Sequence, residues 1–218
     1  MRIAITGTAC QGKSTLIKDM LKEWPDMKLP EESYRDTLDK SNHSKNTTEE
    51  TQWNILNSMV DIQQEYTSDD KVLFDRCPLD NMAYTLWGNV KGNISDEFVE
   101  KCIPIVKESM RFLDIIFFLP ITKFAPVEIE DDGSREVDSD YIHEIDNILK
   151  TLYKQWQDDG ETFFVKDDKP AMIEIFGNEN ERIEMIKLYI DNDGDAIGEQ
   201  GILNPGEMEE LQKMFGLQ

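Results

Sequence analysis

Near the amino terminus, Gly7-Thr8-Ala9-Cys10-Gln11-Gly12-Lys13-Ser14-Thr15 gathers glycines, a lysine and hydroxyls at a spacing suited to holding phosphate. Gly7 and Gly12 let successive backbone N–H groups curl around an anion, and a helix starting at Lys13 adds the positive end of its dipole. In the pattern G-x-x-x-x-G-K-S, Lys13 neutralises β- and γ-phosphate oxygens, and Ser14 sets its hydroxyl on magnesium. The stretch predicts an ATP and Mg²⁺ site, with Lys13 carried on a solvent-facing loop.

Two further clusters carry chemistry. In Phe74-Asp75-Arg76-Cys77-Pro78-Leu79-Asp80 an acid stands beside an arginine after an apolar run. Asp75 can hold magnesium directly or through water, while Arg76 can grip the acceptor or the moving phosphoryl group with its planar fork. The same pair would also serve as a structural salt bridge at a strand end. In Glu31-Glu32-Ser33-Tyr34-Arg35, Glu32 can accept the proton of an attacking hydroxyl, or the acids can form a helix first turn.

Other reactive residue types read blandly. His43 and His143 are the only histidines, which leaves little material for a hydrolase triad. Gln63 and Gln64 can reach a base, yet glutamine on a helix face is usually solvated, so they stay outside the predicted site. Cys10 at a helix start is read as a small residue of the phosphate loop.

The elements that must position these groups alternate. Residues 3–6 form a strand, and residues 13–24 form a helix with Leu16, Ile17, Met20, Leu21 and Trp24 on one face before Pro25. A short strand is expected at 27–29, a polar loop at 40–47 and a helix at 48–66 with Glu49 and Glu50 in its first turn. Fully apolar runs at 72–74 and 115–119 have the form of central parallel strands, and the stretch between them, 81–111, reads as mostly helical. A helix over 141–156, strands at 163–165 and 172–176 and a helix at 179–190 complete the pattern. The result is an α/β doubly wound parallel sheet in one domain, residues 1–190. The acidic segment around Arg135, within about 121–140, reads as a mobile lid. Residues 191–218 form an acidic Gly/Asn/Asp-rich tail with a short helix at 205–215, capped by Asn204 with Pro205 in its first turn.

Composition sets outer limits. With 45 acidic against 23 basic residues, the formal charge of -22 disfavours broad nucleic-acid binding, although a local cationic cleft would still admit DNA. Cys10, Cys77 and Cys102 are odd in number and widely spaced, which argues for a reducing compartment rather than a disulfide framework. No apolar run reaches membrane-spanning length. A soluble cytoplasmic protein is expected.

Together these residues resemble the NadR-related P-loop kinases, often described as AAA-type ATPase/kinase domains and common in bacteriophages, and more distantly the deoxyribonucleoside kinases. The likeness spans about residues 1–190 and rests on GTACQGKST, EESYR, VLFDRCPLDNMAY, FLPI, DDGSR and IEIFGNENERIEMI. It implies transfer of the ATP γ-phosphate to a hydroxyl or phosphate of a nucleoside- or nucleotide-like acceptor, in the cytoplasm of a bacterium or phage-infected host. It further implies an acceptor site lined by Glu32, Arg35, Arg76 and Asp80, with Glu32 as base, Asp75 and Arg76 as metal and acceptor pair, and Arg135 reaching from the lid. Deoxyribonucleoside kinases carry Glu-Arg-Ser where this chain has Asp75-Arg76-Cys77, which leaves the acceptor open. Two rival readings stand beside it: a kinase acting on 5-hydroxymethyluracil in phage DNA, and a non-kinase NTP-hydrolysing switch.

Overall fold

A computed structural model of the chain describes residues 1–34, 47–122 and 138–197. The first strand, β1 (Arg2–Thr6), leads through the glycine loop into α1 (Lys13–Glu23). Next come α2 (Glu49–Gln64), β2 (Val72–Asp75), α3 (Pro78–Val90), α4 (Asp96–Ser109) and β3 (Ile115–Phe118). The domain closes with α5 (Ser139–Gln157), β4 (Ala171–Glu174) and α6 (Glu179–Ile186).

The strands form a sheet in the order β2-β1-β3-β4, and every pairing is parallel. Parallel strands need crossovers, and here helices supply them on both faces. On one face Ala4, Phe74, Ile116, Phe118 and Met172 pack against side chains of α2, α3, α4 and α5, including Leu56, Met82, Cys102 and Leu149. On the other, Ile3, Ile5, Leu73, Ile115, Phe117 and Ile173 meet Leu16, Ile17 and Met20 of α1 and Met185 and Ile186 of α6. Burial on both faces explains why these strands read as unbroken apolar runs. The expected doubly wound α/β sheet is therefore observed.

Local signals fix the helix ends. Thr48, Ser95, Asp138 and Asn178 each accept a hydrogen bond from the backbone N–H three residues on, at the starts of α2, α4, α5 and α6. The stretch 81–111 divides into α3 and α4, with Asn93 and Ile94 N–H bonded back to the Gly88 carbonyl at the junction.

Two expected strands are absent. At 27–29 only Lys28 bridges Val72, because Pro30 lacks the N–H needed to carry a ladder further. At 163–165 the chain turns, and Phe163 and Phe164 plug the core without joining the sheet. Three apolar residues are too few to separate a buried strand from a buried turn. The last helix ends at Ile186 rather than running to 190.

The base of the expected lid is pinned. Ile121 donates its N–H to Asp146 at 2.9 Å, and its carbonyl accepts from Lys150 at 2.7 Å. The acidic segment itself, with Arg135, lies outside the described residues, as do Arg35 and the tail helix at 205–215. Among the described residues no helix is long and apolar enough to cross a membrane.

Candidate active site

All four strands run the same way, so their carboxyl ends open on one edge of the sheet, where ligands of such folds bind. The glycine loop leaves the end of β1 there. Gly7 has φ +151, and a Cβ on it would lie 2.7 Å from the Leu119 carbonyl oxygen, so only glycine lets the loop pass this close to the end of β3. Gly12, at φ +73, sits at the N-terminus of α1, where a Cβ would meet the Arg182 guanidinium at 2.9 Å. Cys10 also has positive φ, a conformation seldom adopted by a residue with a side chain.

Lys13 departs from its expected solvent-facing place. It is 7 % exposed, and its ammonium donates to the Thr8 carbonyl, folding the side chain back across the loop. Thr8 in turn donates to the Ile142 carbonyl of α5 at 3.0 Å. Ser14 and Thr15, in the first turn of α1, are exposed. The loop therefore keeps its lysine inside the curl and its Ser14 hydroxyl outside, a polarity suited to a polyphosphate and its counter-ion.

At the end of β2 the backbone of Arg76 takes φ +80, a left-handed value for a non-glycine residue. Its guanidinium donates to the Gly7 carbonyl and to Asp80, each at 3.0 Å, and lies 5.3 Å from the Tyr84 ring centre. Burial opposes its charge, but Tyr84, Tyr34, Asp80 and Asp75 outweigh burial and hold it firmly protonated.

Asp80 was expected to bind substrate, and the structure assigns its oxygens elsewhere. With 0 % exposure, it accepts from Thr6 Oγ1 at 3.0 Å, Gly7 N at 3.2 Å, Cys77 N at 3.0 Å and Arg76 Nη1 at 3.0 Å. It ties the β1 loop to the β2 turn from beneath. Its i,i+4 spacing from Arg76 on a helix start, visible in the sequence, is the signal for this role. Cys77 shares this buried corner, and burial pushes its thiol up to about 12, so it stays protonated at neutral pH.

Beside this corner lies a cavity of about 230 Å³ that brings together Glu32, Tyr34, Asp75 and Arg76 with Met59 and Phe74. Glu32 and Arg76, expected at the acceptor, therefore share one space with Asp75, expected at the metal. Gln63, expected on a solvated helix face, also lines it.

Arg182 is a further residue that sequence reading left without a role. It is buried, donating through Nε to the Gly177 carbonyl at 2.9 Å and through Nη1 to the Gln11 carbonyl at 2.8 Å. It clamps the glycine loop to the turn after β4. The capping box of Asn178 and Glu181, readable in GNENER, places it there.

This strand, glycine loop and helix on a parallel sheet define a P-loop fold of the nucleoside and nucleotide kinase type. A family model described as AAA domain matches residues 2–159, and the chain belongs to that family. Comparison with curated proteins gives no match. Among solved structures, deoxyadenosine kinase from M. mycoides with dCMP and dCDP bound is similar at TM-score 0.63 and 18% identity, over 85% of this chain and 96% of that one. Thymidylate kinase from Candida albicans is similar at TM-score 0.56 and 14% identity, over 91% of this chain and 95% of that one. NadR in complex with NR is similar at TM-score 0.54 and 15% identity, over 99% of this chain and 52% of that one.

Proposed function

We propose that the protein is an ATP-dependent kinase that moves the γ-phosphate to a hydroxyl of a nucleoside or nucleotide. One observation carries this reading: the buried Arg76–Asp80 pair joins the triphosphate loop to a separate cavity holding Glu32 and Asp75. A switch that only hydrolyses NTP has no use for that second space. The fold neighbours named deoxyadenosine kinase and thymidylate kinase support the same class of acceptor.

The protein's part is to position and neutralise. The loop N–H groups and Lys13 hold the β- and γ-phosphates. Glu32 takes the proton of the acceptor hydroxyl, whose oxygen forms a bond to the γ-phosphorus as the bond to the bridging oxygen breaks and ADP leaves with that electron pair. Arg76, kept charged, faces the transferring group from the acceptor side, and Arg135 would meet it from the lid. Ser14 and Asp75 offer the hard oxygen ligands that suit Mg²⁺, which would offset phosphate charge when bound with ATP.

A screen with [γ-³²P]ATP against nucleosides, nucleoside monophosphates, ribosylnicotinamide and hydroxymethylated DNA tests the reading. Label should pass to a nucleoside or nucleotide. Transfer only to DNA would favour the modified-base reading, and release of phosphate with no labelled product would favour the switch. With the preferred acceptor, Glu32→Gln should lower kcat by on the order of a hundredfold and leave ATP binding as it was. Wild-type turnover in that variant would move the base role to Asp75.

A further inference from the structure

Three carbonyls of the glycine loop are each held by a cationic side chain. Arg76 donates to Gly7 at 3.0 Å, Lys13 donates to Thr8, and Arg182, in α6, donates to Gln11 at 2.8 Å. Arg76 has a carboxylate beside it in Asp80. Arg182 is placed differently. It is 6 % exposed, its Nε and Nη1 are taken by the Gly177 and Gln11 carbonyls, and among the described residues no carboxylate lies within ion-pair distance of it. Burial opposes its charge, and Glu179 supports that charge only from a distance. A buried guanidinium stays protonated, and an unpaired charge in a dry site is costly until something completes it.

The geometry points to Arg182 as a positioning residue for the donor triphosphate. The loop has no cis peptide, and in a trans peptide the carbonyl and the N–H that follows it point opposite ways. Holding the Gln11 carbonyl toward α6 therefore turns the Gly12 N–H away from α6, to the face of the loop that receives phosphate. The Gly12 carbonyl is fixed as well, since it accepts from Leu16 N–H at 2.9 Å. Both peptide planes at this corner are set before ATP arrives. Glycine at position 12 is what admits the guanidinium so close, because a Cβ there would lie 2.9 Å from Nη1. The other arm of the fork holds Gly177, at φ +95, in the turn after β4. The charge of Arg182 then finds its counter-charge in the polyphosphate, beside that of Lys13. This role rests on the kinase reading above and deepens its donor side.

The test is calorimetric titration of wild type, Arg182→Met and Arg182→Lys with ATP and, separately, with inorganic tripolyphosphate, which offers the loop phosphates without a base. Arg182→Met should bind both ligands on the order of tenfold or more weakly, and by the same factor. Arg182→Lys keeps the charge but reaches one carbonyl at a time, so it should lose less, again equally for both. In the kinase assay the KM for ATP should rise with these losses while the KM for the acceptor stays as in wild type, a split that a general loosening of the fold would not give. Thermal melting identifies the variants that fold, and Arg182→Lys carries the comparison if Arg182→Met does not melt cooperatively. Wild-type affinity for both ligands in a folded variant, a loss confined to ATP, or an equal rise in the acceptor KM would overturn the role of Arg182 and leave the kinase reading standing. So would a wild type that binds ATP but not tripolyphosphate, or failure of both variants to fold. Failure of wild type to bind ATP would overturn both.

Discussion

Lys13→Ala should abolish measurable phosphoryl transfer while the protein still melts as one cooperative unit. The ammonium is the one cation carried within the first turn of α1 and folded into the curl of the glycine loop, where it bonds the Thr8 carbonyl. Withdrawing a preorganised cation from charge that develops in the transition state costs on the order of a thousandfold in rate. The fold loses much less. The backbone of α1 is held by Leu16, Ile17 and Met20 against β1 and β3, and alanine is a good helix former. Transfer of label from [γ-³²P]ATP and thermal melting followed by circular dichroism separate the two effects. A Lys13→Ala protein that keeps wild-type turnover would remove the glycine loop from the mechanism.

The parts of this molecule legible in the sequence were those in which several independent constraints agreed. β1, the glycine loop and α1 combined an apolar run, fixed glycine positions and a helical stripe, and each alone would have led to the same segment. β2 and β3 were readable because burial on both faces leaves an unbroken apolar run. The run at 163–165 carried the same signal and proved to be a turn, since apolar character reports burial and not hydrogen-bond pairing.

Within the site, residue type was readable and direction was not. Glu32, Asp75 and Arg76 do meet in one cavity, as their places after two strand-like runs implied. Asp80 has the same chemical character as Asp75, yet lies a helical turn further on and points under the loop. A glutamine near the end of an amphipathic helix is usually wet, which is the expectation for Gln63. Its burial, at 1 % exposed beside the cavity, comes from the tertiary packing and has no local signal. Arg182 acts on the glycine loop from a far part of the chain, a distance that no local pattern spans.

The placement of Asp80 leads to the second large effect, and it falls on donor and acceptor chemistry together. Asp80→Ala should lower stability by about 3–5 kcal/mol, because it leaves the buried Arg76 charge without its partner. It also strips an acceptor from the N–H groups of Gly7 and Cys77 and from the Thr6 hydroxyl, all buried. Urea unfolding followed by tryptophan fluorescence measures that loss. Freed from Asp80, Gly7 N–H no longer fixes the loop, so ATP binding should weaken together with turnover. This contrasts with Glu32→Gln, where only turnover falls. The double variant Arg76→Met, Asp80→Ala should regain part of the lost stability, since the stranded charge is gone, and regain none of the activity, since Arg76 faces the transferring group. If Asp80→Ala unfolds at the wild-type urea concentration and binds ATP normally, the Arg76–Asp80 pair is not what couples the two halves of the site. Its i,i+4 geometry would then be an ordinary helix-start contact.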